Sequence, residues 1–255
     1  MRPLIAICTN TFREIIRDRI LYSLIIFCLL LIGFSVAVGQ LSFAEQLRIS
    51  TNFGLAGIQF SACALAVFVG SSLVFREIEK QTVLTLLSRA IGRATFLVGK
   101  FLGLISVVAV VVLGLSLVFL LIFLLLGGKI HENLFYALWG IFLEASILLA
   151  MTLLFGMFTK PILAVSFSIA FFLIGHWLDS LEFFASQSPS GLFATFGKSA
   201  VKLLPNLERL NWRDHVIYLD HIGLDQVLWG TVYASSWSIL FLSLAAIVFA
   251  RKDFV

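Results

Sequence analysis

The sequence predicts an all-α polytopic membrane protein, a single domain over residues 1–255 with six transmembrane helices. Three observations predict it. Sixty per cent of the residues are hydrophobic and only 13% are charged, where a soluble domain carries about a quarter. Mean hydropathy is +1.06. Six apolar runs are long enough to cross a hydrocarbon core, which takes roughly 20 residues for a thickness of about 30 Å.

Residues 2–19 read as an amphipathic helix. Ile5, Cys8, Phe12, Ile15 and Ile16 share one face, and Asn10, Arg13, Glu14, Arg17 and Asp18 occupy the rest. Such a helix suits the membrane interface, apolar face down; a solvated extension is the alternative. A cleaved signal peptide is not expected, because the apolar run after Arg19 is about 20 residues, too long for a signal core.

Span 1 covers residues 20–39 and span 2 residues 54–75. In span 2, Gly54, Gly57, Ser61 and Ala64 recur at helical spacing and offer a face for close helix approach, with Gln59 as the polar exception. Residues 75–101 are polar, with cations Arg76, Lys80, Arg89, Arg93 and Lys100 against Glu77 and Glu79. Span 3, residues 101–126, is nearly pure Leu, Val, Ile and Phe. Span 4, residues 134–158, carries Glu144 near its middle, and Pro161 turns the chain into span 5, residues 162–178. A segment at 179–225 precedes span 6 at 227–250.

Charge sets the expected orientation. With both termini in the cytoplasm, twelve cations fall inside, and only Arg48 and Lys129 fall in the short outer loops. Short-loop cations favour the cytoplasmic side. The net charge of +4 is therefore explained by the membrane, and no basic patch interleaved with aromatics points to nucleic acid.

Enzymatic motifs are absent. There is no P-loop, no H-E-x-x-H and no G-x-S-x-G. The three cysteines, Cys8, Cys28 and Cys63, form no C-x-x-C and support neither a disulfide framework nor a thiolate zinc site. The histidines are His131, His176, His215 and His221. The echo Asp214-His215 and Asp220-His221 is a weak candidate for a divalent metal on the outer side, with solvated residues as the alternative. Glu144 is sharper. A carboxylate at mid-membrane costs roughly 3 kcal/mol unless it faces a partner or water. It is either a functional site or a protonated acid that ties helices together, with Gln59 as a possible partner.

The segment at 179–225 is apolar in its first half, through Phe183, Phe184, Leu192, Phe193, Phe196, Val201, Leu203 and Leu204. Short helices dipping into the outer leaflet fit it. Pro205-Asn206 breaks the pattern, and residues 207–225 are expected above the membrane.

Within the polar stretch, residues 82–94 predict a short helix. Val83, Leu86, Leu87, Ala90, Ile91 and Ala94 share one face, and Gln81, Thr85, Ser88, Arg89 and Arg93 the other. It is too short and too charged to span. It suits a ridge pressed into a groove on a soluble partner, its cations against acids on the rim. An ordinary positive loop is the alternative.

These residues also resemble a known pattern. Arg76-Glu77-x-Glu79-x-x-Thr82, Leu86-Leu87-Ser88-Arg89, Arg93 and Gly99-Lys100-Phe101-Leu102-Gly103 are similar to the cytoplasmic signature of ABC-2 type transporter permeases. Thr11-Phe12-Arg13-Glu14 with Arg17-Asp18, Leu204-Pro205-Asn206-Leu207-Glu208 with Asn211, and Phe249-Ala250-Arg251-Lys252-Asp253-Phe254 resemble its N-terminal helix, outer segment and C-terminal ending. Gln81 and Ala90 stand where many members have Gly and Pro.

The resemblance implies a type V-like fold in the bacterial cytoplasmic membrane, with an interfacial elbow helix, a cytoplasmic coupling helix and an outer lid. It implies a homodimer of permease chains in membrane lipid, with two copies of a separate ABC ATPase that hold ATP and Mg; this chain would carry no cofactor and no catalysis. Arg76, Glu77, Glu79, Thr82, Leu86, Leu87, Arg89 and Arg93 would couple to the ATPase. Gln59, Ser61, Glu144 and Ser166 would belong to the translocation path. The activity implied is ATP-driven export. The alternatives are an ABC-type assembly or maturation system and a stand-alone secondary transporter using Glu144.

Overall fold

The computed structural model describes residues 2–40, 45–79, 92–187, 191–218 and 220–251. Among these the chain is helical, without a strand. The elements are α1 (Arg2–Ile16), α2 (Arg19–Gln40), α3 (Gln46–Glu79), α4 (Arg93–Leu125), α5 (Glu132–Phe158), α6 (Pro161–Gln187), α7 (Gly191–Leu203), a 3-10 turn (Glu208–Leu210), α8 (Arg213–Tyr218) and α9 (Leu224–Arg251). Helices α2, α3, α4, α5, α6 and α9 are long and apolar enough to cross a membrane. The chain is a multi-pass membrane protein.

Several helices outrun the hydropathic spans. α3 starts at Gln46 and reaches Glu79, α4 already starts at Arg93, and α6 continues to Gln187. Hydropathy marks where lipid ends, whereas a helix stops only at a cap or a breaker. Residues 46–53 and 179–187 contain neither Gly nor Pro, so nothing stops the helix there. Where caps exist, the ends are sharp. Asp18 Oδ1 accepts the Ile20 N–H at 3.0 Å and opens α2. Pro161 takes the first position of α6, where its missing N–H costs nothing. At the end of α4, Gly127 adopts φ 82°. The Gly127 and Gly128 N–H groups return to the carbonyls of Leu124 and Phe123 at 3.0 and 2.9 Å, the paired bonds of a Schellman turn.

α5 is the axis of the bundle: 20 of its 27 residues are buried. α3, α9, α4 and α6 pack around it. α2 leans on α3 and turns Ile26, Leu30 and Phe34 outward, as a lipid-facing helix does.

α1 lies along the first turns of α4. Its buried stripe is Ile7, Thr11 and Ile15, whereas Ile5 is 62% exposed and Ile16 36%. The apolar face read from the sequence for the membrane interface, Ile5, Cys8, Phe12, Ile15 and Ile16, is not the side that packs on α4, which shares only Ile15 with it. The reason is Gly99-x-x-x-Gly103 on α4. A Cβ on Gly103 would stand 2.6 Å from Thr11 Cβ, and one on Gly99 would stand 2.9 Å from Ile7 Cγ2. The two glycines form a groove that admits the Ile7–Thr11 side of α1. Lys100, between them, is drawn under α1, with Nζ 3.7 Å from Glu14 Oε2 and 5.8 Å from the centre of the Phe96 ring.

Most of the expected helix at 82–94 lies outside the described residues, including Thr82, Leu86, Leu87 and Arg89. Arg93 and Ala94 open α4 instead of closing that helix. Arg93 Nη1 donates to the carbonyls of Phe249 and Ala250 at 3.0 and 2.7 Å, so it caps the C-terminal end of α9, where a cation meets the negative end of the helix dipole. Arg76, Glu77 and Glu79 lie on the last turns of α3. The polar stretch at 75–101, read from the sequence as a hairpin, thus has its described ends on the last turns of α3 and at Arg93, where α4 meets the end of α9 next to α1.

Candidate functional site

The most polar part of the interior is a hydrogen-bonded chain that starts at Glu144. Glu144 is 1% exposed, midway along α5. Its Oε2 accepts a bond from Gln59 Nε2 of α3 at 2.6 Å. Its Oε1 lies 2.8 Å from Nε2 of His176, on α6. The other ring nitrogen, Nδ1, lies 2.7 Å from Oε2 of Glu208 in the 3-10 turn. Glu208 Oε1 accepts from Asn211 Nδ2 at 2.9 Å, and Asn211 Oδ1 accepts from Arg213 Nε at 2.9 Å. Five side-chain contacts thus run from the middle of the bundle to its α8 end. Cys63 of α3 also lies against Glu144.

The loop that carries Glu208 is seated deep. Leu207, Leu210 and Trp212 are buried, as is Asn206. The Leu207 N–H donates to the Gly175 carbonyl of α6 at 3.1 Å. A Cβ on Gly175 would meet Leu207 Cγ at 2.7 Å, and one on Gly140 of α5 would collide with the Leu210 carbonyl. The Asn206 N–H donates to Tyr233 Oη of α9 at 2.7 Å, and Asn206 Nδ2 donates to Asp179 Oδ1. Of residues 207–225, expected above the membrane, Leu207, Leu210 and Trp212 are buried between α5, α6 and α9. Their polar neighbours hid three large apolar anchors.

The arrangement has definite chemistry. Each of the two nitrogen–oxygen contacts of His176 requires one proton between its atoms. The trio Glu144, His176 and Glu208 therefore holds two protons and a net charge of −1. Either the ring is an imidazolium between two carboxylates, or it is neutral beside one carboxylic acid. Arg213, reached through Asn211, offsets the remaining charge. The hydrogen bond from His176 holds the Glu208 carboxyl below its ordinary value of 4.5, against partial burial, with Asn211 and the charges of His176 and Arg213 assisting.

Of the residues the sequence assigned to a path, Gln59 and Glu144 come together. Ser61 is buried but turns to Cys28 of α2. Ser166 is exposed and bonds back to the Ile162 carbonyl at 2.9 Å. Ser168 takes the inward position and lies 2.9 Å from Thr152 Oγ1. A cavity of about 350 Å³ between α2, α3 and α6 reaches Gln59 past Phe27, Phe60 and Phe172. His176 and Glu208 carry no sequence-derived role. A histidine inside an apolar span gives the same warning as Glu144, and that signal was available.

Asp214, His215, Asp220 and His221 do not converge. Asn133 Nδ2 bonds the backbone carbonyls of His215 and Asp220 at 3.4 and 2.8 Å, while the His221 ring stands outward, 3.9 Å from Glu132. Among the described residues no three His, Cys, Asp or Glu side chains form a group able to hold a metal ion. No family model matches the chain, and no curated protein matches it in sequence.

Proposed function

We propose that the chain is the permease subunit of an ABC-2 type transporter, driven by a separate ATPase and inserted in a bacterial cytoplasmic membrane with both termini inside. The reading rests first on the sequence resemblance. One structural observation supports it most. Arg93 ties the exit of the hairpin to the last carbonyls of α9, and the Gly99–Gly103 groove clasps α1 directly behind it. A push on residues 80–91 from below would then move α1, α4 and α9 together. A coupling element needs such a rigid mount. In this reading α1 is the interfacial elbow, two permease chains form the membrane core, and transport runs outward.

The test is reconstitution with the partner ATPase. Leu87→Asp, on the apolar face of the hairpin, is expected to weaken ATPase docking by about 2 kcal/mol, roughly 30-fold. Glu77→Ala is expected to lower ATP-driven transport. Unchanged docking and transport in both variants contradict the reading. A stand-alone secondary transporter is the second reading, favoured by the buried Glu144–His176 contact. It requires ion-gradient-driven flux in vesicles that contain this chain alone.

A further inference from the structure

We propose that Glu208, His176 and Glu144 form a one-sided proton relay, through which the α8 face of the membrane loads a proton onto Glu144 in the middle of the bundle. The inference does not rest on an ATPase partner.

Geometry carries it. Both ring nitrogens of one imidazole bridge two carboxyl groups, at 2.7 and 2.8 Å. Histidine is the side chain suited to accept a proton on one nitrogen and release one from the other. The two ends differ in exposure. The Glu208 side chain is 35% exposed, His176 17% and Glu144 1%. Access therefore declines steadily from the α8 face inward. Beyond Glu144 the relay stops. Residues 145–158 of α5, 161–175 of α6 and 64–75 of α3 contain no acid, no base and no histidine. The hydroxyl pair Thr152–Ser168 ends on the backbone carbonyls of Leu148 and Ala164, which take up no proton.

The step balances without any co-reactant. A proton from water on the α8 face protonates Glu208. The Glu208 O–H bond breaks as an N–H bond forms at His176 Nδ1. The Nε2–H bond breaks as an O–H bond forms at Glu144 Oε1. Glu208 returns to carboxylate, the ring stays neutral in its other tautomer, and Glu144 becomes a neutral acid. The gain of one proton takes the trio from −2, two carboxylates beside a neutral ring, to the two-proton state of net charge −1 in which both contacts of the ring carry a proton. The ionisable groups around the ring allow this. Cys63 of α3 lies beside Glu144, and Arg213 opposes the charge of Glu208. Asp179, one turn along α6, is engaged by Asn206. Arg209 lies over the Tyr233 ring of α9, 6.0 Å away.

The experiment uses the full chain in oriented proteoliposomes. A pH jump is applied to one face, and infrared difference spectroscopy follows the carboxylic-acid carbonyl band that Glu144→Gln removes. Acidifying the α8 face is expected to raise this band, and acidifying the hairpin face is not. His176→Gln keeps a polar side chain but cannot relay, and is expected to slow the rise by about 100-fold. Glu208→Gln, a milder change at the loop, is expected to slow it in the same direction. A band that rises at the wild-type rate in both folded variants overturns the proposal. So does a band that answers only to the hairpin face, or one that stays absent when the α8 face is acidified.

Discussion

A carboxyl group in the middle of a membrane helix costs roughly 3 kcal/mol, and Glu144 meets that cost with Gln59 on one oxygen and His176 on the other. Removing one member of such a buried network costs about 3–5 kcal/mol, because its partners are left unmatched. Glu144→Ala is accordingly expected to lower stability by that amount in a detergent thermal melt. Glu144→Gln, which keeps acceptors and donors in place, is expected to lose about 1 kcal/mol. Equal losses in the two would show that the hydrogen bonds are unimportant. At Glu208 the ionised form is favoured in the folded chain, and its carboxyl is held below 4.5. The stability it provides is fully present above that value and is lost as pH falls through the lowered one. Glu208→Gln is expected to flatten the acid limb of the melting temperature against pH; an unchanged limb would remove His176 as its partner. Gln59 and Glu144 could be read from the sequence because each is polar among apolar neighbours. Glu208 could not, because it reaches His176 from 32 residues along the chain through a loop that looks hydrophilic.

Elements show where hydropathy stops being informative. Their existence and order follow from apolar runs; their ends follow from Asp18, Pro161 and Gly127, which act through caps and turns. The side of α1 that packs on α4 was not legible for a similar reason. Periodicity identifies an apolar stripe, but the partner surface selects which residues go in. The groove at Gly99 and Gly103 selects Ile7 and Thr11. Gly103→Leu is expected to displace α1 at an overpacking cost of about 1–3 kcal/mol and to speed maleimide labelling of Cys8. Cys28 and Cys63 are buried elsewhere and serve as internal controls. Unchanged labelling of Cys8 would mean that α1 is held by something other than this groove.

At the scale of the molecule, six spans and a multi-pass chain were readable, while the packing order was not. α5 is apolar on nearly every side, so its sequence has no face to announce that it is the axis; only Glu144 hints that it is surrounded by protein. The polar stretch at 75–101 stands out in the sequence, whereas the tie of Arg93 to the end of α9 does not, since Arg93 finds its carbonyls 156 residues away. The proposed function turns on whether an ATPase binds the polar stretch at 75–101. Affinity purification of the chain in mild detergent, with quantification of what co-purifies, tests it most directly. The account predicts a P-loop ATPase in a one-to-one ratio that is lost in Leu87→Asp. A stable, transport-active preparation without any ATPase would contradict it.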